Sequence, residues 1–290
     1  MTILASRLGA TTEPETGGPD RRSSRARPGT AWLWPLVGVI GFVLVWALLA
    51  ALVRSSAVLP GPWEVAKNFA ANFNGSPALK YLGLDVTSYV GNLGYTGSIV
   101  LSGWLIGAVI GVVTGLASAR TQWVRNLVEP VTTVFGVVPI LVAAPFALVW
   151  FGTSTTGKFL LIVFFSAATV LVVAQSAALA LPLRYEEYAA TLGGGSSARL
   201  RRVVFPATLT TTLTGLRAAL GQAWGLEVVA ELLGAPAGIG RAIAVRAGTG
   251  DIASVIALIL ALGILALLCD AVLSLIVRQF AQWQTDKEPS

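Results

Sequence analysis

The chain contains no histidine, a single cysteine and a single methionine, and only 12% of its residues are charged. Without histidine it lacks the commonest general base and the commonest metal ligand. One cysteine, Cys269, rules out a disulfide framework and any paired-thiol metal or redox site. A soluble domain carries roughly a quarter charged residues, so this composition excludes an ordinary soluble globular protein. Alternation of apolar and polar residues with period two is also missing, which excludes a transmembrane β-barrel.

What is present instead is apolar sequence, 55% of the chain, gathered into six runs at about 31–53, 97–118, 130–151, 159–181, 206–233 and 252–277. Roughly 20 apolar residues suffice to cross a bilayer core of about 30 Å as helix. The expected fold is therefore all-α, a polytopic membrane protein with six transmembrane helices over residues 31–280. Residues 1–30, rich in Gly, Pro, Ser and Arg, are expected to form a disordered cytoplasmic tail, and 281–290 a second tail. The basic stretch RRSSRARPG before the first run resembles the start of a signal peptide, but that run is too long for one and further spans follow.

The net charge of +6 invites a nucleic-acid reading, which the distribution of lysine and arginine opposes. With the N-terminus inside, thirteen of the 20 fall on the cytoplasmic side and six outside, Lys158 among the latter, while Arg217 lies within the fifth run. This is the positive-inside asymmetry of a multi-pass membrane protein with both termini cytoplasmic. No nucleic-acid partner is expected; the lipid bilayer is.

Between the first two runs, LPGPWEVAKNFAANF sets Val65, Phe69 and Phe73 four apart, the spacing of a short interfacial amphipathic helix or of an ordinary loop. In the second run Gly103, Gly107, Gly111 and Gly115 recur every fourth residue, a face that admits close approach of another helix, within the chain or across a subunit seam. The third run carries Pro130, Pro139 and Pro145, which kink a helix and suit either a pathway lining or plain packing. GTSTTGKF at 152–159 imitates a phosphate-binding loop, but Phe159 stands where Mg²⁺ chemistry needs Ser or Thr, and no strand precedes it. No metal site and no cofactor bound by the chain are expected.

The most polar internal stretch, EEYAATLGGGSSARLRRVVFPATL at 186–209, lies between two apolar runs. It reads as two short helices with a glycine bend, Ser196 or Ser197 capping the second. Pro206 then begins the fifth span, where its missing N–H costs little. Glu187, Tyr188 and Ala189, then Gly193, then Val203, Val204, Phe205 and Pro206 keep the full spacing of a known signature. The stretch resembles the EAA loop of the permease subunits of bacterial ABC importers, with Tyr188, Val203 and Phe205 departing from its usual residues. LPGPWEV, VPILVAAPFALVWFGTSTTGKFLLI and GLRAALGQAWGLEVVAELLGAPAGIGRAI are similar to segments of the nitrate/sulfonate/taurine branch, Arg217, Trp224, Glu231 and Gly240 included. The likeness covers about 33–280.

That resemblance implies a type I importer permease fold (MetI-like) with a coupling loop at 184–205. It implies a homodimer, or a heterodimer with a related permease. It implies a separate cytoplasmic ATPase carrying ATP and Mg, and an extracytoplasmic binding protein. The chain itself is then not an enzyme. The branch imports sulfonates, taurine or nitrate, and also neutral or cationic vitamin precursors, and the sequence does not choose among them.

Glu227 and Glu231 sit four apart in the fifth span, on one helix face with Trp224 nearby. Buried acids suggest an alternative, an ion-coupled secondary transporter, although no inverted repeat is present. Arg217 is ten residues from Glu227, about 15 Å along a helix, too far to pair with it within one copy. Glu227 is read either as a pathway carboxylate, with Trp224, Glu231, Pro139 and Pro145, or as a protonated or hydrogen-bonded structural acid.

Overall fold

The computed structural model describes residues 33–137 and 140–285, and every regular element among them is helical. The chain divides into two compact units, Met1–Val45 and Trp46–Ser290. Helix α1, Leu33–Val53, begins in the first and ends in the second, and its sequence is apolar on every face. The tail expected at 1–30 lies outside the described residues, as do Pro139 and 286–290.

Within the second unit, α2 (Pro62–Asn72) and α3 (Pro77–Tyr81) form the connection expected to be outermost. α2 is the amphipathic helix anticipated as one of two possibilities, with Val65 buried and Phe69 stacked edge-on to Phe73. α4, Tyr89–Arg120, is longer than its apolar run and starts where the Ser88 hydroxyl accepts the Gly91 N–H at 3.0 Å. The third run is described in two stretches, α5 (Gln122–Val137) and α6 (Ile140–Phe151), and both are helical. Pro139 lies between them, outside the described residues.

α7 (Thr155–Ala180) is capped by Ser154. α8 (Arg184–Thr191) and α9 (Ser196–Arg199) follow, then a π-helical turn, Leu200–Val204, and α10 (Phe205–Leu232). α11 (Ile239–Gly248) and α12 (Ile252–Thr285) complete the chain. Among the described residues five helices are long and apolar enough to cross a membrane, and α5 with α6 covers the apolar run that is not among them.

α4, α7 and α10 form the centre. Gly103 meets Ile162, Gly107 meets Val163 and Ser166, Gly111 meets Ala167 and Val170, and Gly115 meets Leu171 and Ala174. Both numbers rise together, so α4 and α7 run parallel. The α5–α6 pair must therefore return through the full thickness between them. α10 runs antiparallel to α7, since Gly215 meets Val173 whereas Glu227 meets Lys158. The bundle thus has an α8 end and an α11 end. At its middle Ile99, Val100, Ile162, Leu220, Ala223 and Trp224 form a shared core.

Candidate functional site

At the α11 end the fifth-span acids meet a cation from an unexpected place. Lys158 is not in a loop but in the first turn of α7, and its side chain is fully enclosed, as are Glu227 and Glu231. Its Nζ lies 2.6 Å from Glu227 Oε1 and 3.4 Å from Glu231 Oε1, and 4.8 Å from the centre of the Tyr95 ring. Glu231 is further held by the Thr96 hydroxyl, at 2.8 and 3.0 Å from its two oxygens, and by the Gly240 N–H at 2.8 Å.

Thr96 Oγ1 in turn accepts the Ile239 N–H at 3.0 Å, and Asn92 Oδ1 accepts the Gly238 N–H at 2.9 Å. Gly238 has φ +113°, which side chains avoid, and a Cβ there would run into the Glu231 carboxylate. The knot therefore ties α4, α7, α10 and α11 together. Glu227 has fewer partners: its Oε2 is buried and makes no hydrogen bond, as does the indole N–H of Trp224.

Neighbouring helices enclose Glu227, Glu231 and Trp224 in this conformation. Glu227 pairs with Lys158, while Arg217, as its distance along the helix required, does not reach it. Depth along the helices held the missed signal. Lys158 is three residues from the start of α7, and Glu227 and Glu231 are five and one from the end of its antiparallel neighbour, so all three lie within about 8 Å of the α11 end. Assigning Lys158 to a loop concealed this. With a lysine beside them, the two acids no longer motivate an ion-coupled transporter. Pro145 is exposed on α6.

Arg217 is occupied elsewhere. Its Nε and Nη2 donate to the two carboxylate oxygens of Asp270 on α12, at 2.9 and 2.7 Å. This bidentate pair sits mid-helix on the outside of the chain, with 45% and 40% of the two side chains exposed.

At the α8 end, α8 closes with Gly193 at φ +82°, where the Gly193 N–H reaches Ala190 O and the Gly194 N–H reaches Ala189 O, both at 2.9 Å. Glu186 is buried and paired with Arg120 at the end of α4. Arg125 caps the same end, donating to Ser118 O at 3.2 Å and Ala119 O at 2.7 Å. Glu187 points outward, with Leu183, Tyr188 and Leu192 exposed beside it. Ala189 is half-buried.

The second short helix is not separate from the fifth span. Helix is continuous over Ser196–Leu232. The π turn, with the Phe205 N–H bonded to Leu200 O, takes it past Pro206, so Pro206 does not begin the span. Val203 and Pro206 are half-buried there and Phe205 is exposed.

Comparison with known proteins agrees with this architecture. Residues 107–285 match the family described as binding-protein-dependent transport system inner membrane component. The taurine transport system permease protein of Escherichia coli is 30% identical over 261 residues, covering 81% of this chain and 90% of that one. The putative aliphatic sulfonates transport permease protein of Bacillus subtilis is 25% identical over 276 residues, covering 95% and 96%. In fold, the chain is similar to an inward-facing structure of the MetNI methionine ABC transporter, at TM-score 0.56 and 19% identity, covering 71% of this chain and 99% of that one. A parallel α4–α7 pair, an α8 loop with the EAA spacing and a family match over residues 107–285 together make this chain a member of the binding-protein-dependent transport system inner membrane component family, an ABC transporter permease of the nitrate/sulfonate/taurine type.

Proposed function

We propose that the chain forms the translocation pathway of an ATP-driven importer for a small sulfonate-like solute. A second permease copy completes the pathway, and an extracytoplasmic binding protein delivers the solute at the α11 end. ATP and Mg bind a separate cytoplasmic ATPase that docks on α8. Both chain termini lie on the ATPase side. The sulfonate and taurine permeases among its relatives support the solute class.

One observation carries the proposal: α8 presents an exposed Glu187 flanked by exposed Leu183, Tyr188 and Leu192, whose side chains make no hydrogen bond or ion pair among the described residues. It is braced from behind by Glu186–Arg120 and leads through one glycine bend into the 37-residue helix that crosses the bundle. Such a surface offers a carboxylate and an apolar patch to a partner groove, with an arginine as the natural mate for the carboxylate. Movement there is transmitted directly into α10. Glu187→Lys in the assembled complex is expected to leave insertion and ATPase binding measurable while abolishing uptake. Uptake equal to wild type at equal expression would remove α8 as the coupling element.

A further inference from the structure

The exposed Arg217–Asp270 pair is absorbed neither by the coupling loop nor by the Lys158 knot. Counting along the helices, Arg217 is 15 residues from the α11 end of α10 and Asp270 is 18 from the start of α12. Both are therefore roughly 22–27 Å below that end, still within the depth of a bilayer core of about 30 Å. The surface around them on α10 is not lipid-like. Thr211, Thr214, Ala218, Gly221, Gln222 and Gly225 are all exposed on that side. Gln222 reaches across to α7, its Oε1 2.8 Å from the Thr169 hydroxyl. Elsewhere the exposed faces of α4 and α12 carry leucine, isoleucine and valine, as lipid contact requires.

A bidentate pair uses two of the five N–H donors of a guanidinium. Arg217 therefore keeps donors directed away from Asp270. We propose that this face of α10 borders a water-filled pathway, and that Arg217 is its anion-facing group. Asp270 orients the guanidinium and neutralises it. Within the permease function proposed above, this makes Arg217 a specificity determinant for solutes bearing a sulfonate or similar oxyanion. A bare arginine would hold such a group too firmly. A paired one offers hydrogen bonds without net charge, and conduction needs binding weak enough to release. Lys158 cannot serve in this way, since it is enclosed and its carboxylates already surround it.

The test uses the assembled permease–ATPase complex in proteoliposomes, in a Cys269→Ala background. Gly221→Cys places a thiol one turn from Arg217, where a Cβ meets nothing within 4 Å. Leu105→Cys, on an apolar exposed face of α4, is the lipid-facing control. The probes are sulfonatoethyl and trimethylammonioethyl methanethiosulfonate, applied without nucleotide and in the vanadate-trapped state. Gly221→Cys should react in at least one state while Leu105→Cys does not. Arg217→Gln should lower the anionic-to-cationic rate ratio at Gly221→Cys several-fold, Asp270→Asn should raise it, and the double substitution should return it toward the starting value.

No reaction at Gly221→Cys in either state, or a ratio unmoved by Arg217→Gln and Asp270→Asn, would overturn the proposal. If Arg217→Gln does not assemble, Asp270→Asn alone decides it. Failure of the permease proposal reads differently: labelling would then be independent of nucleotide and unaffected by Glu187→Lys, whatever the charge ratio.

Discussion

At the scale of single residues, the informative unit is one ammonium enclosed with two carboxylates. Removing a partner from a buried pair leaves an uncompensated charge and typically costs about 3–5 kcal/mol. Lys158→Met strands both acids and should fall in that range. Glu227→Gln leaves Lys158 with Glu231 and keeps an acceptor oxygen in place, so its cost should be nearer the roughly 1 kcal/mol of one hydrogen bond. Thermal unfolding of the detergent-solubilised complex should rank Lys158→Met well below Glu227→Gln. Equal losses would show that the ammonium is not what holds the acids. The sequence exposed the two acids on one helix face, but not the cation between them. Lys158 was obscured because a charged residue beside Ser154 and Gly157 looks like loop until the Ser154 cap extends α7 backwards over it.

At the scale of elements, the α4–α7 seam brings two helix backbones together over four glycines. A Cβ on Gly107 would lie 2.5 Å from Val163 O and 2.8 Å from Ser166 Cβ, and neither is the movable end of a long side chain. Gly107→Ala should therefore destabilise the chain by about 1–3 kcal/mol, as overpacking does, and Gly107→Leu should prevent stable purification. An unchanged melting profile for Gly107→Ala would mean that the seam yields. Glycine spacing is visible in sequence, but its partner is not, because four-residue periodicity marks a face and not what covers it.

The π turn was hidden for a similar reason. Pro206 marks an interruption, and a helix end satisfies a missing N–H as well as a widened turn does. Pro206→Ala should allow that turn to close to ordinary α-helix and re-aim α8. The expected result is unchanged or higher thermal stability with reduced uptake, and full uptake would detach the turn from coupling.

At the scale of the whole molecule, the topology follows from the parallel α4–α7 pair. α5 and α6 are about 24 and 18 Å long. Neither alone spans a bilayer core, while together they do. In the orientation proposed above, which the lysine and arginine asymmetry supports, the α8 end is inside. In the Cys269→Ala background, Gly75→Cys should be labelled by an impermeant maleimide from outside. Gly195→Cys and Ser290→Cys should be labelled only after permeabilisation. Outside labelling of Ser290→Cys with Gly195→Cys protected would break this topology. The apolar runs sufficed for the all-α membrane class, but the enclosure of Lys158 and the short α11 depended on packing between distant segments.

The hydrogen-bonded knot at the α11 end also has a mechanical consequence. The helix from Ser196 to Leu232 is about 56 Å long. Its last turns are held by buried ionic contacts, and its middle by the more exposed bonds of Gln222 to Thr169, Arg217 to Asp270 and Trp104 to Leu216 O. A displacement applied near α8 cannot slide this helix along its axis without breaking the buried ionic contacts, whereas swinging it strains only the more exposed bonds nearer the middle. The knot is then a fulcrum. Travel along α10 is greatest at the α8 end, intermediate at Arg217, and vanishes beside Lys158.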